Sequence, residues 1–343
     1  MLKPNLAGWR PWGLLLLPLA AGCWSASGPE VVLYCAQDSE FAEPIFAEFT
    51  GQTDIAVRPK YDTESTKTVG LARAIEAESG RPRCDVFWNN EILLTLRLQE
   101  QGLLEAYRPA AAERYPAEYR SSEGLWHGFA ARARVLLVNT QRVGPADRPR
   151  SILDMADPKW RGQSGLAKPL FGTTATHAAC LFAAWGDDRA KEFFERIKAN
   201  GARIMPGNKD VARAVGGGRL AFGLTDTDDA LGEVEAARPV AIVYPDQGPG
   251  GLGTLFIPNT LAVVKGSPHP EAARRLVDFL LSAEVEARLA AGPSAQIPLG
   301  RGVDVPLRVE TPRTVRPMRV DFEAAAGKWP TVAEFLRDRF TAD

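Results

Sequence analysis

Thr225-Asp226-Thr227-Asp228-Asp229 places three carboxylates and two hydroxyls directly after the apolar run Leu220 to Leu224. Carboxylates packed this closely repel one another unless a cation or hydrogen-bond donors neutralise them. Two chemistries suit such a cluster: capture of a hard cation by oxygen ligands, or pairing with an ammonium group. The plainer alternative is a solvated helix start, because Asp and Thr also favour N-caps.

Three further segments carry polar chemistry at the expected end of an element. Phe87-Trp88-Asn89-Asn90-Glu91 joins aromatics to amides and a carboxylate, the composition of a cleft wall; core packing is the alternative for Phe87 and Trp88, and the favoured one for Phe87. Phe171-Gly172-Thr173-Thr174-Ala175-Thr176 precedes an expected helix, whose free N–H groups suit an anion; a helix cap is the alternative. Arg132 and Arg134 alternate onto one face of a strand and could clamp an anion or bridge two lobes. Catalytic patterns are weak. The three histidines, His127, His177 and His269, form no HExxH or metal-spaced cluster, and no Gly-x-Ser-x-Gly elbow is present. His177 reads as a packed helix residue. No catalytic residue and no resident cofactor is expected.

The chain start has its own chemistry. Arg10 and the apolar run Trp12 to Ala21 lead into Leu19-Ala20-Ala21-Gly22-Cys23. A basic start, a short apolar stretch and a small residue before a cut describe a secretory signal. A cysteine after Gly22 makes it lipoprotein-like, with lipid on Cys23 and a membrane-tethered product in the periplasm or at the cell surface. Ala20 stands where such signals more often have Leu, and ordinary cleavage would leave Cys23 a spacer thiol. The run is shorter than the ~20 apolar residues a bilayer span needs.

Composition narrows the rest. The 343 residues include 41 Lys and Arg against 42 Asp and Glu, and residues 1–22 contain only Lys3 and Arg10 among them. No basic run or aromatic-interleaved stripe suggests nucleic acid. The length exceeds one ordinary core, so two domains are expected. Cys35, Cys84 and Cys180 are an odd set. Cys35 ends one expected strand and Cys84 begins another, so parallel neighbours would hold them beyond disulfide reach. Three buried or free thiols are expected.

The elements that must position these groups follow from periodicity. Val31 to Tyr34, Ile55 to Val57 and Asp85 to Trp88 read as strands. Helices over Phe41 to Phe49 and Val69 to Glu78 separate them, with Gly51 ending the first and Pro44 near its first turn. A second series runs through Val135 to Val138, Gly165 to Ala167, a helix with Phe193, Phe194 and Ile197 on one face, and the short helix Val211 to Val215. The strand Leu220 to Leu224 closes that series. Gly216-Gly217-Gly218 ends a helix and lacks the Lys-Ser/Thr of a phosphate loop. Val240 to Tyr244 and Leu261 to Val264 are late strands, and Ala273, Leu276, Val277 and Leu280 form the last strong helix. Alternating strands and helices imply α/β lobes around parallel sheets, with ligands beyond the C-terminal strand ends. Those ends are Cys35 to Ser39, Asn89 to Glu91 and Thr225 to Asp229.

From Val31 to about Val303 the chain resembles periplasmic solute-binding proteins of ABC importers, and is most similar to the iron(III)-binding branch. The segments carrying this are Val31-Val32-Leu33-Tyr34, Asp85-Val86-Phe87-Trp88, Arg132-Ala133-Arg134-Val135, Asp157-Pro158-Lys159-Trp160, Gly218-Arg219-Leu220-Ala221 and Ser294-Ala295-Gln296-Ile297-Pro298-Leu299. The resemblance implies a two-lobed fold with a hinge and an interlobe cleft. Its expected plan is signal 1–22, linker 23–30, lobe one 31–131 with a return over 258–290, lobe two 132–257, and a C-terminal segment 291–343 packing on lobe two. It implies a monomeric receptor handing a metal ion or small solute to permease subunits, not an enzyme; a secreted enzyme on the same fold is the competing class. The iron binders' paired tyrosines fall on Asp228-Asp229, a histidine of some members on Asp38, and a carboxylate on Asn90 or Glu91. Asp38, Glu91, Asp228 and Asp229 are thus the expected metal ligands. Thr173 and Thr174 match the neighbourhood of an accompanying anion. Asp carboxylates suit Ca²⁺ or Mg²⁺ as well as iron. Related branches take organic phosphates, thiamine or polyamines. A cationic organic solute would stack on Trp88 and pair with the aspartates.

Overall fold

The computed structural model describes Met1, residues 28–62 and residues 69–340. The signal segment and Cys23 lie outside the described residues. The first lobe opens with β1 (Glu30–Cys35), α1 (Ser39–Thr53), β2 (Ala56–Tyr61), α2 (Val69–Ala77), β3 (Val86–Asn89), α3 (Leu93–Glu100) and β4 (Leu104–Glu105). The long strand β5 (His127–Asn139) leads into β6 (Ser164–Ala167), α4 (Gly172–Trp185), α5 (Asp187–Ala199), β7 (Arg203–Met205) and α6 (Asn208–Gly216). Then come β8 (Phe222–Asp226), α7 (Thr227–Glu235), β9 (Val240–Val243) and β10 (Phe256–Val264). The helices α8 (Pro270–Leu280), α9 (Ala283–Ala291) and α10 (Phe322–Phe340) complete the chain.

The strands form one path, β2-β1-β3-β10-β5-β8-β6-β7, with β4 on β10 and β9 on β5. β1 runs parallel to β2 and β3, and β6 runs parallel to β7 and β8. Between these two parallel units stand β10 and β5, antiparallel to each other and to their outer neighbours. That is the expected two-lobed α/β arrangement. β5 serves both halves: its first residues pair with β10 and its last with β8 and β9. Thirteen residues at ~3.3 Å each make it roughly 40 Å long, enough to cross both lobes.

All thirteen residues of β5 are buried. A strand covered on both faces reads as a continuous apolar run, and Ala133 and Val135 to Val138 obey that rule. Arg132 and Arg134 break it, so each must find partners inside. The crossing also bends. Ala130 has φ 42°, a left-handed conformation rare for alanine, opposite the register shift between Ile257 and Asn259. Buried Glu286 holds this bend. Its carboxylate accepts from Ala130 N (2.9 Å), Leu299 N (3.0 Å) and Gly300 N (3.0 Å), tying β5 to the segment after α9.

Most expected elements are present, and the differences have local causes. β8 lies two residues later than the apolar run suggests, so Thr225 and Asp226 belong to the strand. α1 continues past Gly51 to Thr53, ending at Asp54 in the left-handed region, and Pro44 sits one turn beyond the first. α10 was not expected because Pro330 lies inside it. It packs on α4 of the second lobe through Phe335 against Phe182, and also reaches α3 of the first. Cys35, Cys84 and Cys180 are buried free thiols. Cys35 stands opposite Trp88 in the β1–β3 register while Cys84 precedes β3, so the pair sits at opposite ends as expected.

Candidate functional site

The polar loops converge around the β5 arginines. In register, Arg134 stands opposite Asp226 across the β5–β8 pair, and alternation puts Arg132 on the same face. Arg134 Nη1 donates to Asp226 Oδ1 at 2.7 Å, to Asn208 Oδ1 at 3.1 Å and to Thr173 Oγ1 at 3.2 Å. Its Nη2 donates to Thr174 Oγ1 at 3.2 Å. Thr173 Oγ1 donates to Asp226 Oδ2 at 2.6 Å, and Asn208 Nδ2 donates to the same oxygen at 2.9 Å. The starts of α4 and α6 are thereby pinned to the end of β8. α6 lies close to β8 at Gly223, where a Cβ would collide with Val211.

Burial alone would raise the Asp226 pKa. The guanidiniums of Arg134 and Arg132 and the Thr173 hydroxyl outweigh it and hold the carboxyl below the usual range. For Arg132, burial disfavours the charge, and Asp228, Asp226, Asp229 and Asp38 more than restore it. Arg132 Nη1 lies 3.5 Å from Asp228 Oδ2 and 3.7 Å from Asp226 Oδ2, while Nη2 donates to the Asn90 carbonyl. Arg132 therefore touches the second lobe through two carboxylates and the first through the loop after β3. One oxygen from each of Asp226, Asp228 and Asp229 can be chosen so that all three lie within 4.8 Å of one another. Asp226 is buried; Asp228 and Asp229, in the first turn of α7, are half-buried.

The remaining expected site residues fall in different places. Asp38 is exposed at the start of α1, with its charge felt at Arg132. Asn90 donates through Nδ2 to the Ala36 carbonyl at 3.1 Å, bracing two strand-end loops of the first lobe. Glu91 is buried and committed. It accepts from Leu93 N (2.5 Å), Leu94 N (3.0 Å), Asn89 Nδ2 (3.0 Å) and Thr176 Oγ1 (2.7 Å). It caps α3 and bonds across to α4 of the second lobe. Asp38 and Glu91 are thus outside the oxygen cluster that Asp226, Asp228 and Asp229 form.

Trp88 corrects an expectation. Its ring is fully buried, 6.0 Å from Phe46 and 5.3 Å from Phe129 between centroids, and its Nε1 donates to Asn259 Oδ1 at 3.2 Å. In this arrangement it is core and offers no stacking face, because strand alternation turns it inward. Thr173 and Thr174 are also buried, with their hydroxyls spent on Arg134, Asp226 and Asn208. Asn208 was not anticipated, and Thr176, which lies in the expected hydroxyl segment, bonds Glu91 of the first lobe. A polar residue opening a helix beside a strand end was the available signal for Asn208.

Against known sequences, a profile described as bacterial extracellular solute-binding protein matches residues 92–326, more than half of the chain. The chain belongs to that family. This solute-binding family member is 28% identical over 272 residues to iron uptake protein A1 of Synechocystis sp., covering 76% of this chain and 73% of that one. Among solved structures, iron-bound HitA from Pseudomonas aeruginosa superposes with a TM-score of 0.81 at 26% identity, covering 91% of this chain and 99% of HitA. AfuA from Actinobacillus pleuropneumoniae, with fructose-6-phosphate bound, shares the fold at a TM-score of 0.79 and 23% identity, covering 92% and 100%. The family is one of binding proteins, which agrees with the expectation of a receptor and not an enzyme. No helix among the described residues is long and apolar enough to cross a membrane.

Proposed function

We propose that this family member is the extracytoplasmic receptor of an ABC importer, tethered through lipidated Cys23 and delivering its solute as a monomer to a permease. The observation that carries the reading is the placement of Arg132. It stands on the crossing strand and holds Asn90 of one lobe and Asp226 and Asp228 of the other. A solute lodging there exchanges contacts with both lobes at once, which is what couples binding to closure.

Iron(III) is the first solute to test, because the relatives named above are an iron uptake protein and an iron-bound protein. Asp226, Asp228 and Asp229 supply hard oxygen ligands for it. A specific observation favours a second reading, a small organic solute with anionic and hydroxyl or ammonium groups. Two buried guanidiniums are interleaved with the three carboxylates, so a bare cation must overcome two fixed positive charges. Exchangeable Arg132 and half-buried Asp228 and Asp229 suit an organic phosphate or a zwitterion, and the same fold holds fructose-6-phosphate in AfuA.

Calorimetry of the metal-stripped protein separates these readings, with Fe³⁺, Ca²⁺, a polyamine and hexose phosphates as titrants. Binding of any of them should fall at least tenfold in Asp228→Ala/Asp229→Ala. Tight binding untouched by those changes, and by Arg132→Ala, removes the cluster as the solute site.

A further inference from the structure

The crossing pair β5–β10 is regular on either side of one irregularity. Arg132 stands opposite Ile257 and Phe129 opposite Asn259, so two residues of β5, Ala130 and Ala131, face only Pro258. This is a β-bulge, one extra residue in β5. Pro258 has no N–H, so β10 offers no backbone donor at this point. Ala130 and Ala131 are buried, and their four backbone polar groups must be satisfied elsewhere. Ala131 exchanges both of its bonds with Ile297, at 2.7 Å each. The Ala130 carbonyl accepts from Asn259 Nδ2, and Ala130 N donates to Glu286 Oε1 at 2.9 Å.

The extra residue decides which way the arginines point. Unbroken alternation from Phe129 would turn Arg132 and Arg134 to the opposite side of the pair; the bulge returns them to the side of Phe129 and Asn259. They meet Asp228 and Asp226 in that orientation. The bulge depends on Ala130 at φ 42°, a conformation that alanine does not favour unaided. Glu286 also has a plainer duty. It accepts from Leu299 N and Gly300 N at 3.0 Å each, with Arg114 Nη2 at 4.0 Å as its counter-charge. Capping those two amides explains a buried carboxylate on α9. It does not explain the third bond, which reaches across to β5. Gly300 is required for this approach, since a Cβ there would lie 2.5 Å from Glu286 Oε2.

We propose that Glu286 is a positioning residue for the solute site: through the Ala130 amide it fixes the bulge that aims Arg132 at Asp226 and Asp228. The inference rests on reading the Arg132 cluster as that site. Glu286 acts on the solute only through β5.

The Arg132 Nε–H resonance of the solute-free chain, assigned through Arg132→Lys, reads the aim of the side chain. The group is buried, so its exchange with water is slow in the parent. Glu286→Ala should speed that exchange at least tenfold. Glu286→Gln keeps an oxygen for Ala130 N and should stay within about threefold of the parent. Should Glu286→Ala fold poorly, Glu286→Met fills the space without an acceptor and takes its place. A calorimetric arm titrates Fe³⁺ and fructose-6-phosphate into the full chain. Whichever binds the parent should bind Glu286→Ala at least tenfold more weakly, and Glu286→Ala/Arg132→Ala no more weakly than Arg132→Ala alone. A folded Glu286→Ala or Glu286→Met with a lowered Tm and a parent-like Nε–H would reduce Glu286 to a cap and overturn the proposal. Additive losses in the double variant would overturn it too. Neither titrant binding the parent would count against the solute reading alone, because the resonance decides the positioning role without solute.

Discussion

Arg134 Nη1 and Asp226 Oδ1 meet at 2.7 Å, directly opposite each other in the β5–β8 register, with both side chains closed to solvent. The pair fixes the starts of α4 and α6 as well as the strand junction. Removing one partner leaves a buried charge alone, which typically costs ~3–5 kcal/mol. Asp226→Ala should therefore lower the urea midpoint strongly. Arg134→Met combined with Asp226→Leu should recover much of that loss. A double variant as unstable as the single one would show that the hydroxyl network, not the charge pair, sets the stability.

The same carboxyl predicts an acid response. Asp226 titrates below its unfolded value of ~3.9, so it favours the folded state above that pH. The contribution disappears as pH falls through the folded value. His177 acts in the same direction over a wider window. Burial, then the Arg134 charge, lowers its pKa from 6.5 to about 3. The unfolded chain binds a proton there below about 6.5 that the folded chain refuses until about 3. Stability should decline across that interval, and His177→Met should flatten the decline in urea titrations between pH 7 and pH 4. An unchanged slope would assign the acid limb to other groups.

Glu91 and Thr176 provide a separable contact between lobes. Thr176→Val removes one 2.7 Å bond and leaves the α3 cap in place. The expected cost is about 1 kcal/mol, with a more open average shape by small-angle scattering. Glu91→Ala should cost more, about 2–3 kcal/mol, because the α3 cap goes with it. Equal effects from both would mean that the cap contributes nothing.

Ala130 tests the bend in the crossing strand. At φ 42°, Gly is relieved of the strain but adds chain entropy to the unfolded state, so Ala130→Gly should lie within about 1 kcal/mol of the parent. Ala130→Val should destabilise by about 1–3 kcal/mol, read from thermal unfolding. A valine variant as stable as the parent would show that the bend is not held in the left-handed region.

The parallel units were legible because Val31 to Tyr34 and Val86 to Trp88 are apolar runs bounded by turn residues. The end of β8 was not. Thr225 and Asp226 have the chemistry of a loop, and only the arginine opposite makes a strand residue of that aspartate. Trp88 misled for the converse reason: its sequence neighbours Asn89 and Asn90 are polar, while its side chain alternates into the core. α3 begins at Leu93 with no capping side chain of its own, the cap coming from Glu91 two residues earlier. Its start was therefore hidden. Gathering Asp226, Asp228 and Asp229 needed no long-range information, since they are near neighbours in the chain. Their interleaving with Arg132 and Arg134 depended on strand register, which local pattern does not encode.

The three sealed sulfur atoms have a practical reach beyond folding. Burial pushes the pKa values of the Cys35, Cys84 and Cys180 thiols far above their ordinary range, so each is both hidden and protonated. Maleimide chemistry needs an accessible thiolate and will pass them by. A cysteine placed on the surface of α2 and another on α5 would then be the reactive pair of the described chain. Dyes attached there would follow the opening and closing of single molecules without any change to the native sulfurs.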